Sequence, residues 1–226
     1  MVGDPNEYAR RYDREGIDEL FYLDVVASLY GRNSLGGLLA RTADRCFVPI
    51  TAAGGVRCSD GVRSLLRSGA DKIAVNTAAV EHPALIDEIA TAIGSANLTV
   101  QIDAKAKNGH WEAYTDGGRE PSGRDAVAWA SEAVSRGAGE ILLTSIDREG
   151  TGQGFDLKLI DALAGVVSVP VVASGGFGAA HHAVEAALAG ASGIAIAGAL
   201  HYGRVSLDGI RDALWEAGIP VRRADS

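Results

Sequence analysis

The chain has 226 residues, 47% of them hydrophobic and 22% charged, a composition that excludes disorder, collagen and coiled coil and suits a single α/β domain. With 21 basic against 29 acidic residues the formal charge is −8, which argues against a non-specific nucleic-acid binder. No apolar run reaches the roughly 18 residues of a membrane span, and the first residues lack the basic-then-apolar pattern of a signal peptide, so no membrane and a cytoplasmic location are expected.

In chain order, Asp4-Pro5 predicts a helix start and Gly16 its stop. Residues 20–24 read as a strand, Ser34 caps a second helix to about Asp44, and residues 47–51 form the next strand. Ser59 caps a helix ending at Gly69, residues 72–76 are a strand, 83–93 a helix and 98–103 a strand. Polar–aromatic alternation over 106–118 around Asn108-Gly109 predicts a small hairpin. Then follow helix 123–136, strand 140–144, helix 156–166, strand 169–173, helix 179–188, strand 193–197 and helix 207–217. Strict alternation argues for a parallel sheet with helices outside, and near-continuous apolar strands argue that both sheet faces are covered.

An internal repeat organises the chain. Val48-Pro49 with Gly54-Gly55 recurs as Val169-Pro170 with Gly175-Gly176, an offset of 170 − 49 = 121. The same offset relates Gly69-Ala70 to Gly190-Ala191 and Glu19 to Glu140. The expected fold is therefore a (β/α)8 TIM barrel, one domain over 1–226, with half-barrels over about 1–97 and 98–226. Projecting the strand that ends at Asp103 back by one repeat falls before Met1. The first strand is thus expected to be missing from this sequence, either encoded upstream or truncated, and seven strands do not close an eight-stranded barrel.

In such a barrel, chemistry gathers at the C-terminal strand ends. Gly54-Gly55 with Asn76-Thr77, and Gly175-Gly176 with Ala197-Gly198, are repeat-related strand ends whose small residues leave backbone N–H groups open to phosphate; the alternative is plain tight turns. Two such sites across one mouth suit a substrate with a phosphate at each end. Asp103, ending an apolar strand, is the candidate general acid/base, tuned by burial and by Lys105; the alternative is an ion pair with Lys105. No metal site is expected. The adjacent His181 and His182 point about 100° apart on a helix and lack acidic or cysteine partners at ligand spacing, and Cys46 and Cys58 form neither a disulfide framework nor a zinc site.

The stretches Ile102-Asp-Ala-Lys105, Gly69-Ala-Asp-Lys72, Asn76-Thr-Ala-Ala-Val80 and the run from Gly137 to Thr151 containing Leu142-Leu-Thr-Ser-Ile-Asp147 resemble the cyclase subunit family of imidazole glycerol phosphate synthase (the HisF family) over essentially the whole chain. The resemblance implies a lyase of histidine biosynthesis without a cofactor. Its substrate would be a bis-phosphorylated aminoimidazole carboxamide ribonucleotide with a formimino-ribulosyl arm. Ammonia from a partner glutaminase would cross the barrel, and ring closure would give imidazole glycerol phosphate and aminoimidazole carboxamide ribotide. By the same resemblance Asp103 is catalytic. Gly55, Asn76 and Thr77 form one phosphate site, and Gly150, Gly176, Ala197 and Gly198 the other. Asp24, Thr51, Thr144 and Ser174 line the mouth, with Glu149 beside the second phosphate site. Glu19, Lys72 and Glu140 gate ammonia on the opposite face where the glutaminase docks, the alternative being rim salt bridges.

Three departures accompany the resemblance. The first strand with its second catalytic aspartate is absent, so little activity is expected of this chain alone. Glu149 stands where the family often has Asp. Ala27-Ser-Leu-Tyr-Gly-Arg-Asn33 resembles a branch that serves amidino-sugar synthesis for surface glycans, which is the alternative function. A docking scaffold without turnover and the sister isomerase of the pathway are further alternatives.

Overall fold

The computed structural model describes residues 3–24 and 35–222. The expected cap at Ser34 and the stretch 27–33 lie outside the described residues.

Helix α1 (Pro5–Arg14) starts on Asp4, whose side chain accepts the Asn6 N–H at 2.9 Å. Strand β1 (Leu20–Leu23), helix α2 (Gly36–Ala43), strand β2 (Ile50–Ala53), helix α3 (Ser59–Arg67) and strand β3 (Lys72–Val75) follow. A short helix α4 (Thr77–Glu81) sits directly on the end of β3, ahead of α5 (Ala84–Ile93). Strand β4 (Leu98–Lys107) overshoots its neighbours and turns at Asn108 and Gly109, both at positive φ, into β5 (His110–Thr115). A further strand, β6 (Glu120–Asp125), pairs with β5 and moves the start of the next helix, α6 (Ala126–Ser135), three residues later than expected. The rest is β7 (Glu140–Ser145), α7 (Leu157–Ala164), β8 (Val171–Ser174), α8 (Ala180–Leu188), β9 (Gly193–Ile194), α9 (Gly198–His201) and α10 (Leu207–Glu216).

The strands run parallel in the order β1-β2-β3-β4-β7-β8-β9, with the antiparallel β5–β6 extension hanging from β4. This is the curled parallel α/β sheet of the barrel class. Among the described residues β1 pairs only with β2, and β9 only with β8. Strand β9 is two residues long rather than the five expected: with one neighbour to bond, its ladder stops at Ile194. The helical layer nevertheless joins the two ends of the sheet. The Tyr12 hydroxyl lies 2.6 Å from His201 Nδ1, and Arg211 donates to the carbonyls of Glu15 and Gly16.

The repeat is visible atom by atom. Helices α1, α2 and α3 reappear as α6, α7 and α8 with equal lengths at the sequence offset, and Asp125 caps α6 as Asp4 caps α1, accepting from Val127 and Ala128. Asp71 donates its N–H to Ile50 O at 2.8 Å, and its counterpart Ser192 donates to Val171 O at 2.8 Å. Side chains such as Ile50, Ile73, Leu98, Ile102, Ile141 and Leu143 are fully buried between sheet and helices. At roughly 1.5–3 kcal/mol each they supply the main driving force for the fold.

Candidate active site

Register between strands sorts the polar side chains into two layers. In the lower layer Thr51 stands opposite Lys72 and Thr99 opposite Glu140. In the upper layer Asp103 stands beside Thr144, and Thr144 beside Ser174.

The lower layer is a continuous network. Lys72 Nζ donates to Glu19 Oε2 at 2.8 Å and to Glu140 Oε2 at 3.2 Å. The Thr51 hydroxyl donates to Glu19 Oε1, and the Thr99 hydroxyl to Glu140 Oε1 at 2.8 Å. Burial by itself disfavours the ammonium, but the bonds and charges of Glu19 and Glu140 outweigh it and hold the Lys72 pKa above that of an ordinary lysine. Glu19, Lys72 and Glu140 thus meet, as expected. Thr51 does not line the mouth. It is fully buried and belongs to this floor, because β2 begins only after Pro49, whose missing N–H keeps it out of the ladder as a donor.

The upper layer centres on Asp103, only 4% exposed at the end of the β4 core. Its Oδ1 accepts from Gln101 Nε2 at 2.9 Å and its Oδ2 from Asn76 Nδ2 at 2.9 Å. Burial pushes its pKa above the usual carboxylate range. The Gln101 and Asn76 amides oppose this, the nearby charge of Glu149 adds to it, and the Thr144 hydroxyl again opposes it. Lys105, expected to tune or pair with Asp103, does neither: its ammonium lies over the Tyr114 ring, 5.9 Å from the centroid. Asn76 Oδ1 is sealed from solvent and accepts no hydrogen bond among the described residues. Thr77 Oγ1 accepts the Asp116 N–H at 3.0 Å, tying the β5–β6 extension to the end of β3.

The two glycine turns are repeat-related yet unequal. Gly54 and Gly55 are half-buried at positive φ, and a Cβ on Gly54 would strike the Asp24 carbonyl, which places Asp24 against that turn. Gly175 and Gly176, also at positive φ, are buried under the 148–154 loop, where Gly154 N–H donates to Gly176 O at 2.8 Å. The carboxylate of Glu149 lies beside Gly175. On that side Glu149, Gly150, Ala197 and Gly198 are exposed, and a Cβ on Gly150 or Gly198 would meet open space.

Sequence reasoning missed Gln101, Thr99 and the tie from Trp111 Nε1 to Asp156 Oδ2 at 3.0 Å. Two-residue periodicity puts Thr99, Gln101 and Asp103 on one strand face, and that was the available signal. The expectation that His181 and His182 lack an acidic partner at ligand spacing is corrected: Glu185, about one turn further along α8, brings the ligand atoms of all three within 4.8 Å of one another. His182 Nδ1 accepts the N–H groups of Gly178 and Ala179 at 3.1 and 3.2 Å, a helix cap that leaves the hydrogen of the neutral ring on Nε2.

A buried acid at the C-terminal strand ends of a curled parallel sheet, above a charged floor, defines a (β/α)-barrel enzyme. The family described as "Histidine biosynthesis protein" matches residues 1–206. The imidazole glycerol phosphate synthase subunit HisF of Gluconacetobacter diazotrophicus is 50% identical over 222 residues, covering 98% of this chain and 86% of its own. That of Pyrococcus furiosus is 50% identical over 221 residues, covering 98% and 88%. That of Caulobacter vibrioides is 49% identical over 224 residues, covering 98% and 86%. The chain belongs to the histidine-biosynthesis protein family, in its HisF group. No helix among the described residues is long and apolar enough to cross a membrane.

Proposed function

We propose that this chain is the cyclase subunit of an imidazole glycerol phosphate synthase, a lyase that works with a glutaminase partner. The observation that carries the reading is the buried Asp103 carboxylate, held by two amides at the mouth of a chain half identical to named HisF subunits. The relatives' names favour histidine biosynthesis over the amidino-sugar alternative.

In this reading the bis-phosphorylated substrate lies across the mouth. One phosphate meets the backbone at Gly55, Asn76 and Thr77. The other meets Gly150, Ala197 and Gly198, with buried Gly176 shaping that site from below. Ammonia enters through the Glu19–Lys72–Glu140 floor, where the glutaminase docks, and reaches the ribulosyl arm beside Asp103. With its pKa raised by burial, Asp103 exchanges protons with the attacking nitrogen and the departing group near neutral pH more readily than an ordinary carboxylate. Asp24, Thr144 and Ser174 supply polar contacts around the arm.

The test is cyclisation with ammonium salt as the nitrogen source. Turnover that needs nitrogen is expected. Asp103→Asn abolishes turnover and keeps substrate binding. Turnover without any nitrogen donor would assign the isomerase reaction instead.

A further inference from the structure

We infer that Gln101 is a positioning residue for the Asp103 carboxylate, locking Oδ1 so that the remaining lone pairs face the strand C-termini. The inference rests on reading Asp103 as the reacting acid. Gln101 and Asp103 are 8% and 4% exposed, so neither side chain is shared with bulk water. An ionised carboxylate only accepts, which forces the Gln101 amide to present its N–H to Oδ1, at 2.9 Å. Gln101 lies two residues earlier on the same strand, so donor and acceptor move as one rigid piece. Asn76, which donates to Oδ2, comes instead from the end of β3, where the chain turns into α4.

The strand face also explains why the layer is needed. Thr99, Gln101 and Asp103 follow one another up one side of β4, and the Thr99 hydroxyl is engaged by Glu140 of the floor. Gln101 is therefore the step between the charged floor and the acid. The charged and titratable groups on the strands around Asp103 are Lys72 at the start of β3, Lys105 and Lys107 on β4, His110, Glu112 and Tyr114 on β5, and Glu140 at the start of β7, with Glu149 beyond β7. None of these donates a hydrogen bond to Oδ1 among the described residues, so the role falls to a neutral amide.

The experiment is a carboxyl-carbon NMR titration of Asp103, its signal identified by loss in Asp103→Asn, comparing the unaltered chain with Gln101→Met. Methionine matches glutamine in length and carries no donor. The expected result is a midpoint raised by about one pH unit, about a tenfold weaker acid. An unchanged midpoint overturns the inference. Should the methionine variant fail to fold, the unaltered chain still decides: the Gln101 side-chain amide protons must titrate with the Asp103 midpoint and lose that response in Asp103→Asn. Amide signals indifferent to that midpoint overturn the inference equally. In the turnover assay, the pH limb belonging to Asp103 moves the same way in Gln101→Met. Turnover surviving Asp103→Asn would sink the reading of Asp103 while the titration still judges Gln101.

Discussion

Glu19 and Glu140 occupy equivalent places in the two repeats and close on a single cation, the ammonium of Lys72, at 2.8 and 3.2 Å. Two copies of one supersecondary unit thus contribute like charges to the barrel floor, and the lysine that separates them has a glycine counterpart, Gly193, in the second repeat. The asymmetry turns a repeated position into a three-membered charge network.

Removing that cation leaves two half-buried carboxylates facing each other. Lys72→Met is expected to lose about 1–3 kcal/mol in denaturant melts at neutral pH, and Lys72→Arg much less. The folded-state pKa of Lys72 lies above its unfolded value, so its stabilisation is complete below the unfolded lysine range and is lost as pH rises through the folded value. The gap between wild type and Lys72→Met should therefore persist from neutral pH into the mildly alkaline range and narrow only in strong alkali.

Asp103 has the opposite relationship to stability at neutral pH. Its folded-state pKa is raised, so the protonated form favours the fold, and the stabilisation that form gives is lost as pH rises through the folded value. Asp103→Asn should accordingly melt at a higher temperature than wild type at pH 7. That advantage should vanish below about pH 3.9, the ordinary aspartate value. A variant that melts lower at pH 7 would show that the amide donors more than offset burial.

The glycines of the proposed second phosphate site separate fold from binding. Gly176 has φ +102°, and a Cβ there would strike the carbonyl oxygen of Gly154. Gly176→Ala is expected to cost about 2–4 kcal/mol by thermal melts. Gly198→Ala meets open space and should change stability by less than about 0.5 kcal/mol. Because the added methyl stands where a phosphate would approach the backbone, bisphosphate affinity should fall while the melt stays put.

The β5–β6 extension is tied to the barrel by Trp111, whose indole N–H reaches Asp156, the cap of α7. Trp111→Phe should cost about 1 kcal/mol and speed amide exchange in β5, with α7 unaffected because Asp156 still accepts from Leu159 at 3.1 Å.

Much of this was legible in the residues themselves. The repeat showed because the turns at Gly54-Gly55 and Gly175-Gly176 need positive φ, which leaves the same letters at the same offset. Asp103 showed because a carboxylate at the end of an apolar strand has few other reasons to be there. The strand starts were misread twice in the same way. The apolar pattern predicts strands over 47–51 and 169–173, yet both begin after their proline, at Ile50 and Val171. That shift moved Thr51 from the mouth to the floor. Strand β6 (Glu-Pro-Ser-Gly-Arg-Asp) was illegible because its composition is that of a loop. It is held by pairing with β5 and by the Glu112 carboxylate accepting Gly123 N–H at 2.8 Å, contacts that exist only once the chain has folded. Gln101 escaped notice for a related reason: a polar residue inside a strand acquires its meaning from what stands beside it.

The most direct measurement is calorimetric titration of the chain with a bis-phosphorylated substrate analogue, followed by amide NMR of the saturated complex. One ligand should bind per chain, moving the backbone signals of Gly55 and Thr77 on one side and of Gly150 and Gly198 on the other in a single saturable step. Two ligands per chain, or signals that shift on one side alone, would contradict a molecule anchored at both ends across Asp103.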